Sequence, residues 1–195
     1  MSYSRDGLKA SEFHNDWFGD CMSDDQTRLL YGFLLHSSRL SDEYREGTNP
    51  FTEEIEKFYL DQGIDDEQRD SLIELIDECS FQGPEPDGEG YVLHVGDREK
   101  LRLRCEDLEG VDEVISIPVE LIVKRLTDRV LSIIFEIAKR CHLVLMSMTG
   151  EDVRVIASEI LEQVQIRWSD AIQISDVREL ETWLDHSIEG MKVNV

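Results

Sequence analysis

The sequence lacks the local patterns by which catalytic and metal sites are usually recognised. It contains no G-x-S-x-G motif, no glycine-rich phosphate loop, no H-E-x-x-H or H-x-E zinc pattern and no EF-hand spacing. Its histidines are isolated, and Cys141 and His142 are adjacent without further ligands beside them. We therefore expect no cofactor, no metal site and no catalytic residues.

Paired cysteines and long apolar runs are also missing. The four cysteines are widely separated and form no C-x-x-C pair, so we expect free thiols rather than disulfides. No signal-peptide pattern occurs at the N-terminus, and no apolar run approaches the roughly 20 residues that a membrane-spanning helix needs. These features predict a cytoplasmic protein that does not enter a membrane.

Basic residues are scarce: 20 lysines and arginines face 43 acidic residues, for a net charge of −23. Such a chain repels phosphate backbones and anionic membranes, which excludes direct binding to nucleic acid as an expected function. Only 6 of the basic residues are lysine, which is also compatible with adaptation to high salt. Abundant isoleucine and only four alanines weigh against salt adaptation as the whole explanation.

The 195 residues, 41% of them hydrophobic, suffice for one domain or two small lobes. Periodicity predicts a mixed α+β fold with a helical N-terminal half, followed by a small sheet of about four strands packed with three helices. We expect a helical lobe over residues 1–80 and an α/β lobe over residues 91–195, packed as one compact unit. The glycine- and proline-rich segment 81–90 would connect them.

Helical spacing of apolar residues and capping signals predict four helices in the first lobe. They cover residues 11–18, 23–46, 49–63 and 65–80. In the second lobe, alternation predicts a hairpin of residues 91–95 and 100–105, with a further short strand at residues 114–117. The remaining predictions are helices over residues 118–140 and 151–165, strands over residues 143–148 and 171–174, and a last helix capped by Asp176.

Acidic side chains form a continuous stripe on the predicted helix 65–80, where they recur at spacings of three and four. No lysine or arginine alternates with them on that face, and like charges at this spacing destabilise a helix by about 0.2–0.5 kcal/mol per pair. The stripe and the loop after it form the predicted partner-binding surface: Glu67, Asp70, Glu74, Asp77, Glu78, Glu85, Asp87 and Glu89. A solvated helix face is the alternative interpretation.

Two further features have a functional and a purely structural interpretation. Arg98, Lys100, Arg102 and Arg104 share one face of the predicted hairpin, where they could bind an anion or simply face water. The turn between Ser147 and Asp152 would lie at the C-terminal end of a strand, where parallel sheets bind ligands. That turn could equally serve only to cap the following helix.

Charge and the missing motifs together favour a non-catalytic binding protein whose partner is a basic protein. The leading hypothesis is an immunity protein or antitoxin that inhibits a cognate toxin, because acidic patches accelerate capture of a cationic partner. One alternative is a DNA mimic that inhibits a nucleic-acid-processing enzyme. Another is an enzyme with an unrecognised site between Ser147 and Asp152. The sequence leaves the oligomeric state open.

Overall fold

A computed structural model describes residues 27–48, 55–84, 90–105, 108, 114–188 and 191–194. The strands are β1 (Thr27–Ser37), β2 (Leu40–Thr48), β3 (Ile55–Asp61), β4 (Tyr91–Gly96), β5 (Glu99–Leu103), β6 (Ser116–Val123), β7 (Leu143–Ser147), β8 (Val153–Val155), β9 (Ile172–Gln173) and β10 (Met191–Asn194). The helices are α1 (Asp66–Glu78), α2 (Asp128–Arg140), α3 (Leu161–Arg167) and α4 (Val177–Trp183). A 3₁₀ turn (Ser158–Ile160) precedes α3, and a π-helical turn (Leu184–Ile188) follows α4.

The prediction of a helical N-terminal half followed by a small sheet is wrong. Strands are interleaved through the described chain, and seven of them form one mixed sheet in the order β4-β5-β6-β1-β7-β8-β9. Strand β10 pairs with the N-terminal part of β1. Neighbouring strands are antiparallel except β8 and β9, which are parallel. The first described strand, β1, thus lies at the centre of the sheet, between β6 and β7.

The prediction of a long helix over residues 23–46 is wrong in its described part, which consists of β1 and most of β2. Tyr31, Phe33 and Leu35 are buried at alternate positions, which is strand periodicity. Leu34, on the opposite face, packs against a second group of apolar residues. Both faces of β1 contact apolar neighbours, so residues on both faces of the strand are apolar. In the sequence, such a nearly continuous apolar run distinguishes neither a helix nor a strand.

The predicted helix 49–63 is also wrong in its described part, since β3 pairs with β2 as an antiparallel two-stranded sheet. The apolar spacing of residues 55, 58 and 59 suited a helix, but pairing with β2 decides the local structure. The start of that predicted helix and the whole predicted helix 11–18 lie outside the described residues.

Pro118 does not begin a helix. It lies inside β6, opposite Leu34, and its carbonyl accepts a hydrogen bond from the Arg104 amide at 2.8 Å. Alternate residues of β6 are buried, from Ile117 to Val123, so the strand period continues through the proline. The helix begins ten residues later, at Asp128, after Thr127 as its N-cap.

Several local predictions are confirmed. Strands β4 and β5 form the predicted hairpin, β7 and β9 lie within their predicted ranges, and α1 begins with the predicted capping box of Asp65 and Gln68. Asp176 caps α4 by accepting hydrogen bonds from the amides of Arg178 and Glu179. The predicted helix 151–165, in contrast, is strand β8, the 3₁₀ turn and the start of α3.

Apolar groups cover both faces of the sheet. One cluster packs α1, α2 and α4 against residues such as Phe33, Leu35 and Leu145. A smaller cluster packs the 3₁₀ turn and α3 against Val144 and Met146, whose side chains point to the opposite face of β7. The division into two lobes at residues 81–90 stays a prediction. Strand β1, which precedes that segment, pairs in one sheet with β6 and β7, which follow it.

No described helix has the length and apolarity to cross a membrane.

Candidate functional site

Helix α1 is held in one orientation by its N-terminal cap and its buried face. The Asp65 carboxylate accepts from the Gln68 amide at 2.8 Å, and the Gln68 side-chain oxygen accepts from the Asp65 amide at 3.1 Å. Leu72, Leu75 and Ile76 are buried against the core. Because these residues fix the inner face, the acidic residues necessarily lie on the outer face.

The predicted acidic stripe is present on that outer face. Its five described members are all exposed to solvent: Glu67, Asp70, Glu74, Asp77 and Glu78. The three remaining predicted residues, Glu85, Asp87 and Glu89, lie outside the described residues. We define the acidic face as the five exposed carboxylates of α1.

A cation from another helix enters the acidic face. Arg140, at the end of α2, contacts Glu78 at 2.8 Å and Glu74 at 3.6 Å. The hydrogen bond with Glu78 is the main cause of a raised pKa of Arg140. The sequence-based prediction concerned only the residues of this helix, among which no lysine or arginine alternates with the carboxylates, whereas Arg140 reaches the face from α2. Within the described structure, the side chains of Glu67, Asp70 and Asp77 contact no cation.

A polar cleft of about 300 Å³ lies beside the acidic face. It is bounded by the β1–β2 connection, the first turns of α1, the end of α2 and the start of α3. Residues lining it include Arg39, Glu67, Ser71, Arg140, His142 and Gln163. The cleft brings together side chains from four separate parts of the chain, and no local sequence pattern predicted that these parts would meet.

Hydrogen bonds to backbone carbonyls fix the walls of the cleft. The Gln68 side-chain amide donates to the Cys141 carbonyl at 2.9 Å, which joins α1 to the end of α2. Gln163 of α3 donates to the Ser38 carbonyl at 3.2 Å. Arg39 donates to the Gly63 carbonyl at 3.0 Å. These bonds link elements distant in sequence, so the cleft is formed by the folded chain without a ligand.

Each cationic or imidazole side chain of the cleft faces a carboxylate of this chain. Arg39 lies 3.5 Å from Asp65, and His142 lies 3.0 Å from Glu159. His142 has a φ of 49°, a left-handed backbone conformation that turns the chain between α2 and β7. Two hydrogen bonds lower the pKa of Glu159. The larger effect comes from the backbone of Glu159 itself, and the smaller from the His142 side chain.

The turn between Ser147 and Asp152 is occupied by contacts within the chain. The Asp152 carboxylate accepts from the Trp183 indole at 3.1 Å and contacts Arg154 at 2.6 Å. The Ser147 hydroxyl accepts from the Asp152 amide and lies 3.1 Å from the Thr149 hydroxyl. Strand β7 is antiparallel to both of its neighbours, so the expected position at the end of a parallel strand is wrong.

The basic side chains of the β4–β5 hairpin are partly paired with β6. Arg102 and Arg104 both contact Glu120, at 3.8 and 2.8 Å. Because one carboxylate lies against two guanidinium groups, these arginines are engaged on the sheet surface. This arrangement agrees with the structural interpretation of the basic hairpin.

A buried histidine cluster has no counterpart among the sequence-based predictions. His36 is 6% exposed, its ring packs edge-on against Trp168, and its Nε2 lies 3.9 Å from Asp61. Asp61 also pairs with Arg167, whose guanidinium stacks on Trp168. The cluster joins β1, β3 and the end of α3. No local spacing could reveal it, because its members come from three distant segments.

Among the described residues, no group of three or more histidine, cysteine or acidic side chains could hold a metal ion. Comparison of the chain with protein-family models, with curated proteins and with solved structures finds no match.

Proposed function

We propose that this chain is a non-catalytic, cytoplasmic binding protein whose acidic face docks on a basic protein. Its biological role would be that of an immunity protein or antitoxin, which inhibits a toxin by covering its active site. The observation that supports docking is the exposure of Glu67, Asp70 and Asp77 on a helix whose orientation is fixed. None of these three carboxylates contacts a cation in the described structure.

Energetics support the same proposal. Neighbouring carboxylates along α1 repel one another, and a cationic partner would relieve that repulsion on binding. The net charge of −23 adds long-range attraction for a basic protein and accelerates its capture. Arg140 partly neutralises the negative charge of Glu74 and Glu78. The proposed contact therefore depends mainly on the three unpaired carboxylates.

A DNA mimic is the second candidate, because exposed carboxylates can imitate phosphates. A mimic needs regularly spaced charges over an extended surface. The described acidic face lies on one helix of 13 residues, which is about 20 Å long at 1.5 Å per residue. This compact placement favours the toxin inhibitor over the mimic.

Affinity capture with two matched variants tests the proposal. The first variant, Glu67→Gln/Asp70→Asn/Glu74→Gln/Asp77→Asn, removes four charges from the acidic face without changing side-chain size. The control variant, Glu136→Gln/Glu151→Gln/Glu162→Gln/Asp170→Asn, removes four exposed charges elsewhere. Each protein is immobilised and exposed to lysate of the organism that encodes the chain, at two salt concentrations.

We expect the wild type and the control to retain the same basic protein, with retention falling as salt rises. The first variant should retain at least about tenfold less of this protein. A tenfold loss of affinity corresponds to only about 1.4 kcal/mol of binding free energy, which the loss of four charges should exceed. Co-expression should then show that the wild type suppresses the toxicity of the retained protein. Equal retention by all three proteins, with circular dichroism showing intact folds, would refute docking through the acidic face.

A further inference from the structure

Strands β2 and β3 form a two-stranded ribbon, and within the described chain they pair only with each other. None of the described side chains of the ribbon is buried. Tyr44, Ile55 and Leu60 are among the large apolar side chains that it exposes. Because an isolated two-stranded ribbon is only marginally stable in water, its position depends on contacts at its base.

The base of the ribbon is held by contacts with two other parts of the chain. Arg39, between β1 and β2, donates from its side chain to the Gly63 carbonyl at 3.0 Å. The Arg39 carbonyl accepts a hydrogen bond from the Gln62 amide at 3.2 Å. Asp61, the last residue of β3, pairs with Arg167 at the end of α3. The ion pair therefore links the ribbon directly to a helix.

His36 lies beside this ion pair, and its two ring nitrogens have different surroundings. Nδ1 lies 2.7 Å from the Ser37 carbonyl. Because a carbonyl only accepts, Nδ1 carries the proton of the neutral ring, and Nε2 has the lone pair. Nε2 lies 3.9 Å from the Asp61 carboxylate. Two acceptors cannot form a hydrogen bond with each other, so the neutral ring does not compete with Arg167 for Asp61.

A proton on Nε2 reverses this relationship. The imidazolium would have a second N–H donor beside Asp61, and the carboxylate would need to move only about 1 Å to reach charge-assisted hydrogen-bond distance. The imidazolium would also repel the nearby Arg167 guanidinium. The Arg167 side chain is 29% exposed and can move into water, whereas His36 is fixed within the sheet and is 6% exposed.

We propose that His36 is a pH-sensitive control of the ribbon: when Nε2 takes up a proton from solvent, Asp61 exchanges Arg167 for His36, and the link between the ribbon and α3 is broken. The charged groups that face His36 are Asp61 from β3 and Arg167 from α3. Its neighbours across the sheet, Ser116 and Val144, carry no charge. The inference is independent of the proposed function, since it concerns only contacts within the chain.

An NMR titration of the His36 imidazole in two variants tests the exchange of partners. Arg167→Gln removes the repulsion and frees Asp61, so the His36 midpoint should move to higher pH. Asp61→Asn removes the carboxylate that attracts the imidazolium, so the midpoint should move to lower pH. Arg178→Gln, in α4 on the other face of the sheet, is the charge-matched control. It should leave the midpoint within about 0.2 pH units of wild type, because distant charges are screened.

Hydrogen exchange measures the release of the ribbon. With intrinsic rates corrected for pH, amides of β2 and β3 should lose about three- to tenfold of their protection between pH 7.5 and a pH below the His36 midpoint. Amides of Leu101 and Leu121 in the main sheet should lose less, which distinguishes local release from global unfolding. His36→Gln, which cannot take up this proton, should keep its ribbon protection over the same range. Arg167→Gln should have the lower ribbon protection at both pH values, so the test remains decisive if His36→Gln does not fold.

Three results would overturn the proposal. The first is ribbon protection in the wild type that does not change as His36 titrates. The second is an equal loss of protection in wild type and His36→Gln. The third is a His36 that stays neutral down to about pH 4.5, where carboxylates themselves begin to take up protons.

Discussion

Arg140 and Glu78 join α2 to α1 through a guanidinium–carboxylate contact of 2.8 Å at the edge of the acidic face. The same guanidinium reaches Glu74 at 3.6 Å. One cation thus divides the acidic face into a paired part and an unpaired part. The unpaired part, with Glu67, Asp70 and Asp77, is the part of the acidic face that we propose contacts a partner.

Replacing Arg140 with glutamine should strengthen binding of the proposed basic partner to the acidic face. The change removes a positive charge from the cleft wall and releases Glu74 and Glu78. We expect the variant to retain about two- to threefold more of the basic partner than the wild type in the affinity capture, because the local charge becomes more negative. Thermal stability should change little, since the contact is exposed.

Arg125→Gln is the matched control for Arg140→Gln. Arg125 is exposed and does not line the cleft, so its loss changes the net charge equally without altering the site. Equal tightening in both variants would indicate a general charge effect rather than release of the paired carboxylates.

Phe33 lies in the central strand β1 and belongs to the main hydrophobic core. Its side chain is fully buried and packs edge-to-face with Trp183, with ring centroids 5.9 Å apart. Phe33→Ala should lower the free energy of unfolding by about 3–5 kcal/mol through lost burial and a cavity. Urea unfolding followed by tryptophan fluorescence measures this loss.

Ile172→Ala is the comparison for Phe33→Ala, because Ile172 lies on the edge strand β9 and is 55% exposed. Its replacement should change the free energy of unfolding by no more than about 0.5 kcal/mol, as expected for a surface site. Similar losses in the two variants would contradict the central position assigned to β1.

Local signals in the sequence predicted α1 and its acidic face, because a capping box and helical spacing need only neighbouring residues. Arg140 could not be predicted, since it lies 62 residues from Glu78 and reaches it only through packing of α2 on α1. Strand β1 was missed for a similar reason. Its helix-compatible apolar run becomes a strand through pairing with β6 and β7, both more than 70 residues later.

The three described cysteines should differ in reactivity. Burial raises the pKa of Cys105 and of Cys141 to about 12, and both side chains are buried. Cys79, at the end of α1, is only partly buried, and burial followed by repulsion from Glu78 raises its pKa as well, so its advantage is accessibility. Because the thiolate is the reactive species, iodoacetamide at pH 8 should label Cys79 in the folded protein and leave Cys105 and Cys141 unlabelled.

Peptide mass spectrometry measures labelling at each cysteine separately. Denaturant should make Cys105 and Cys141 react as fast as Cys79, which provides the internal control. Rapid labelling of Cys141 without denaturant would show that the contact between α1 and the end of α2, including the bond from Gln68, opens in the native protein.

His36 should remain neutral in the folded protein at pH values where a free histidine is protonated. Burial is the largest cause that lowers its pKa, and repulsion from Arg167 acts in the same direction. The hydrogen bond from Nδ1 to the Ser37 carbonyl, at 2.7 Å, opposes this shift. In an unfolded chain the pKa returns to about 6.5. An NMR titration of the imidazole signals should therefore give a His36 midpoint below 6.5.

This difference in pKa has a defined effect on stability. Between pH 6.5 and the lower folded pKa, the unfolded chain binds a proton at His36 that the folded chain does not. The contribution of His36 to the free energy of unfolding therefore decreases as pH falls through this window, and it is constant above it. We therefore expect the free energy of unfolding of the wild type, measured relative to that of His36→Gln, to be lower at pH 5.5 than at pH 7.5. A His36 midpoint at or above 6.5 would contradict its burial beside Arg167.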